Sequence, residues 1–165
     1  MPKQIVFGIV RSLHDLFTAL WIGGMLTTAL SFMPVFKKSK KKIKGFVELL
    51  VHYQKRLSTF ALISILGLWL TGLLLTNQSP AYSGLMNFST TTNMLLSIKH
   101  SIIFVMIIIA VYRRYVLGQK IEKFNQKQQN IYGVLLMINT LLGVVVIFLS
   151  GIGASLSQAA LMSIQ

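Results

Sequence analysis

Cysteine is absent from this chain of 165 residues, which excludes disulfides, thiolate metal sites and thiol catalysis. Acidic residues are nearly absent too: three Asp and Glu stand against sixteen Lys and Arg, leaving little material for paired-carboxylate acid–base chemistry. Charge of either sign is scarce. Only 12% of the residues are charged, against about 25% in soluble globular chains. No nucleotide-binding glycine loop, nucleophile elbow or Cys-x-x-Cys-His haem attachment sequence occurs.

What remains is apolar: 54% of the residues are hydrophobic, gathered into runs long enough to cross a hydrocarbon core, which takes about 20 mostly apolar residues. Four such spans are expected, at about 13–36, 57–76, 94–116 and 131–155. The fold class this predicts is all-α, an integral membrane bundle of four transmembrane helices forming one domain over 1–165. Lys3 and Arg11 before an apolar run resemble a signal peptide, but the run is too long and lacks a clear cleavage site, so a retained first helix is expected.

The net charge of +13 does not point to nucleic acid, because the cations sit in short loops between apolar spans rather than on a folded face. Eight basic residues lie in 37–56 and five in 113–127, with only Lys3, Arg11 and Lys99 elsewhere. The positive-inside rule then places both basic loops in the cytoplasm and both termini on the other side of the plasma membrane. Phe46, Leu49, Leu50 and Tyr53 at i, i+3, i+4, i+7 predict an amphipathic helix that either lies on the membrane or extends the second span. The run Ser150-Gly151-Ile152-Gly153-Ala154-Ser155 is suited to close helix packing.

Ionisable side chains inside a span are costly and point to function. Lys99 and His100 lie within the third span, and His14 near the start of the first, at a similar depth in the outer half of the bundle. His14 and His100 are therefore the candidate metal ligands, with Lys99, Asp15 and Arg11 as supporting charges. Trp21 and Met25 share the His14 face at i+7 and i+11, where helix packing is the plainer role. Met94 is a further soft donor near the outer loop. His52, beside Glu48, Lys55 and Arg56, reads as a surface residue.

Two imidazoles at one depth suit a copper ion; they also suit haem b held non-covalently between facing histidines, with Arg11 or Lys99 near its propionates.

Leu13-His14 followed by Trp21-Ile22-Gly23-Gly24, Arg56-Leu57-Ser58 leading to Leu70-Thr71-Gly72-Leu73, and Lys99 with Tyr112-Arg113-Arg114 closing the third span together resemble the copper-resistance protein D (CopD) family. The resemblance implies copper handling or transport across a prokaryotic plasma membrane, with His14 as a ligand and membrane lipid and an extracytoplasmic copper-binding protein as partners. A homodimer is a further option. Tyr112 stands where the family ending has Asn, and the chain has fewer spans than copper-resistance members. The same Leu-His, Trp and Lys pattern is similar to HemJ-type protoporphyrinogen oxidases, which implies a haem-dependent oxidoreductase instead. A third reading is a non-catalytic bundle that binds a membrane partner through its small-residue faces.

Overall fold

The computed structural model describes residues 3–34, 46–76, 90–118 and 126–162. The lysine run 37–44, the stretch 77–89 and residues 119–125 lie outside the described residues. Four long apolar helices fill the description: α1 (Lys3–Phe32), α2 (Phe46–Thr76), α3 (Thr91–Leu117) and α4 (Gln126–Met162). Each is long enough to cross a membrane, and the chain is an all-helical, multi-pass membrane protein.

In a bilayer every backbone polar group needs a partner within the protein, and a continuous helix supplies them all. This explains why the helices run past the apolar stretches. α1 begins at Lys3, ten residues before the expected start, because backbone hydrogen bonding continues through Lys3 and Arg11 while their side chains stay exposed. α2 begins at Phe46 and is unbroken to Thr76, so the predicted amphipathic segment extends the second span. α3 opens at Thr90, whose hydroxyl accepts from the backbone N–H of Asn93, one of the donors a helix start leaves unpaired.

α1 packs against α2, α3 against α4, and the second half of α1 also against α4. The centre is a cluster of Trp21, Ile22, Met25, Met106, Leu136 and Val146. Lipid tails are as apolar as leucine, so helix association rests on close packing. Gly143 provides it at the centre: a Cβ there would meet Ile22 Cγ2 at 3.0 Å and Met106 Cε at 3.3 Å. Leu66, Trp69, Phe104, Leu141 and Phe148 are exposed, as lipid-facing side chains should be.

The small-residue run near the end of α4 does not serve this packing. A Cβ on Gly151 or Gly153 would meet nothing within 4 Å, and Ser150, Gly151, Ala154 and Ser155 are exposed. Among the described residues, the close packing expected there is not seen at Gly151 or Gly153.

Three turns are π-helical: Ala19–Gly23 and Thr28–Phe32 in α1, and Arg113–Leu117 in α3. A π turn takes one extra residue and changes which side chains face the interior, and such turns are frequent at functional sites. Here they turn Trp21, Ile22 and Thr28, and Arg113 and Leu117, into the bundle.

Candidate functional site at the histidine end

His14 is the twelfth residue of α1 and His100 the tenth of α3. At 1.5 Å per residue they lie roughly 16 and 14 Å from their helix starts, at comparable depth. His14 is within electrostatic reach of Asp15, Lys99 and His100, and His100 of Lys99. These four groups gather at the end of the bundle opposite the basic loops. His14, Lys99 and His100 are half-buried, while Asp15 and Arg11 are exposed.

Hydrogen bonding fixes the tautomer of both rings. The Thr71 hydroxyl donates to the Gly67 carbonyl oxygen at 2.7 Å, so toward His14 its oxygen acts as acceptor. His14 Nδ1 lies 2.8 Å from that oxygen and therefore carries the proton. His100 Nδ1 lies 2.7 Å from the Leu96 carbonyl oxygen, which can only accept, so this nitrogen also bears a proton. In the neutral rings both Nε2 atoms are left with a lone pair. A ring N–H tied to a carbonyl or hydroxyl is the usual support for a histidine that ligates a metal through its other nitrogen.

The surroundings of His14 follow from local sequence. Thr71 and Gly72 are adjacent on α2: the first holds Nδ1, and the second lies beside the ring, where a Cβ would stand in ordinary contact 3.7 Å from His14 Cε1. One turn earlier, a Cβ on Gly67 would overlap the ring of Phe17. The small residues Gly67, Thr71 and Gly72 thus form the seat into which His14 and Phe17 of α1 are set. The motif Leu70-Thr71-Gly72 is conspicuous in the sequence, but its role as the partner of His14 depends on how α1 and α2 are rotated.

Trp21 and Met25 belong elsewhere. Both are buried in the central cluster, and the Met25 sulfur accepts from Asn139 Nδ2 at 3.4 Å. Met94 is exposed near the start of α3. His52 is exposed, as expected. Among the described residues no group of three or more His, Asp or Glu converges as a metal site.

The opposite, basic end carries a second polar assembly. Arg114 donates to the hydroxyls of Ser58 at 2.9 Å and Thr59 at 3.2 Å, joining α3 to α2. Tyr132 donates to Gln54 Oε1 at 2.5 Å, joining α4 to α2, and the Arg113 guanidinium lies over the Tyr132 ring at 4.4 Å. Tyr53 and Thr28 share a hydrogen bond of 2.9 Å between α2 and α1. A cavity of about 450 Å³ opens among these elements, lined by Trp21, Lys55, Arg113, Arg114, Tyr132 and Asn139 together with aliphatic side chains. In the sequence Arg113 and Arg114 stand out as the close of the third span, but nothing there brings them together with Asn139 of α4.

A family model described as copper resistance protein D matches residues 52–153, from the end of α2 nearest the basic loops to the far part of α4. No curated protein and no solved structure matches the chain.

Proposed function

The chain belongs to the copper resistance protein D family, and from that premise we propose that it handles copper as cargo at the histidine end, through Nε2 of His14 and Nε2 of His100. The observation that supports this most directly is the shared state of the two imidazoles. Each is held through a protonated Nδ1, by Thr71 in one case and the Leu96 carbonyl in the other, and each offers the nitrogen that suits copper. A ligand set of two imidazoles also fits a cargo role, because a closed four-ligand site holds a metal structurally, whereas a handled ion has to leave.

Lys99 and Asp15 set the local field. A cation beside the site opposes the accumulation of positive charge and Asp15 offsets it, so copper entering as a singly charged ion is the form the surroundings tolerate best. Passage across the plasma membrane, from an extracytoplasmic copper-binding partner, is the wider function that the family name suggests.

The test is metal content and the absorption spectrum of detergent-purified protein. Copper near one equivalent, lost in the His14→Ala and His100→Ala double variant, is the expected result. Copper content that does not change on removing both histidines would refute the site. A reducible Soret band would instead assign the same two nitrogens to haem b as axial ligands.

A further inference from the structure

The cavity at the basic end is not used by the copper reading, and it gathers three buried polar atoms that have no hydrogen-bond partner: Trp21 Nε1, Arg113 Nε and Asn139 Oδ1. All three residues line it, and they are 3%, 8% and 0% exposed. Leaving such an atom unpaired is costly, and more so where the group is charged. Lys55 and Arg114 also line the cavity, and no Asp or Glu does. Among the described residues, then, three cations and no carboxylate line a space whose inner walls include the aliphatic side chains of Leu62 and Leu136. The two unpaired donors, on Trp21 and Arg113, both stand on π-helical turns, Ala19–Gly23 of α1 and Arg113–Leu117 of α3.

We infer that this cavity binds a phosphate group carried on an apolar body. The guanidinium groups and Lys55 meet the anion, which is the chemistry for which arginine is best suited. Trp21 Nε1–H supplies a further donor, and Asn139 Oδ1 accepts from a hydroxyl of the ligand. The aliphatic walls take the apolar part. The phosphate itself has two sources: the headgroup of an anionic phospholipid, which brings the apolar body with it, and free phosphate, which does not.

The protein offers an internal probe, because this chain has two tryptophans and Trp69 is exposed on the outer face of α2. In a Trp69→Phe background, Trp21 fluorescence is titrated in detergent micelles with phosphatidylglycerol, with a diacylglycerol lacking phosphate, and with inorganic phosphate. The expected result is a saturable change with phosphatidylglycerol and none with diacylglycerol. Inorganic phosphate that competes with the lipid identifies the phosphate group alone as sufficient; inorganic phosphate without effect identifies the lipid as the ligand. Arg113→Gln with Arg114→Gln is expected to weaken the response about tenfold or more, the loss typical of a charged hydrogen bond. Lys3→Gln with Arg11→Gln, at the other end, should leave it unchanged. If the buried Arg113 variant fails to assemble, Lys55→Gln with Arg114→Gln at the cavity mouth is the replacement. A response that never saturates, that diacylglycerol reproduces, that both arginine changes leave intact, or that the Lys3 and Arg11 changes weaken equally would overturn the inference in favour of a water-filled cavity or bulk charge.

Discussion

The imidazole of His14 donates its Nδ1 proton to the hydroxyl of Thr71 at 2.8 Å, across the contact between α1 and α2. Because that hydroxyl spends its own proton on the Gly67 carbonyl, the orientation of the histidine is set by a chain of two hydrogen bonds ending in the backbone of α2. An ionisable side chain in a span is costly, and here its polar edge is compensated on one side only, leaving the other nitrogen available.

Thr71→Val keeps the side-chain shape and removes the acceptor. On the copper reading it should weaken copper binding about 10- to 100-fold, the range for loss of a partner behind a ligating histidine, whereas Thr71→Ser should retain most of it. Competition against a chelator of known affinity measures both. Equal affinity in the valine variant and the wild type would remove Thr71 from the site.

Gly67→Ala should destabilise the bundle by about 1–3 kcal/mol, the range for overpacking a filled interface, because its Cβ overlaps the Phe17 ring. Gly151→Ala, which meets open space, should stay within about 0.5 kcal/mol. Denaturant unfolding followed by circular dichroism compares the two, and Phe17→Leu should relieve part of the Gly67→Ala loss.

Tyr132→Phe removes the donor to Gln54 Oε1 while leaving a ring beneath Arg113. Gln54 is buried, so the expected cost is about 1–3 kcal/mol, that of leaving a buried acceptor unpaired. A matching loss in Gln54→Leu, with little further loss in the double variant, would show that the two act as one pair; fully additive losses would show that they do not.

The natural absence of cysteine makes membrane orientation directly measurable. With the basic loops cytoplasmic, Thr90→Cys should react with a membrane-impermeant maleimide in intact cells, and Lys120→Cys only after permeabilisation. The reverse pattern would invert the orientation and put the histidine end inside.

Which parts of this were legible in the sequence follows from the range of the forces involved. The four spans could be read because each depends on the apolarity of its own residues, and the similar depth of His14 and His100 follows from counting along helices. The start of α1 could not be read in the same way: hydropathy marks where apolar residues begin, whereas the helix continues through Lys3 and Arg11 because its backbone bonds need no apolar side chain. The run at 150–155 looked like a packing face from its small residues, yet among the described residues nothing stands within 4 Å of a Cβ placed on Gly151 or Gly153, because which face of a helix meets a neighbour is set by its rotation and not by its composition.

By itself, then, the sequence determined the four apolar helices, the separation of the basic loops from the histidines, the exclusion of thiol chemistry and the scarcity of carboxylates. These are properties of local composition and of transfer between water and hydrocarbon. Tertiary structure alone decided that Thr71 and Gly72 form the seat of His14, that Met25 serves the core beside Asn139, and that Trp21, Arg113 and Asn139 share one cavity. Each of those depends on the rotation of one helix against another, which side-chain packing sets, and which in α1 and α3 is altered by π turns that no hydropathy pattern records.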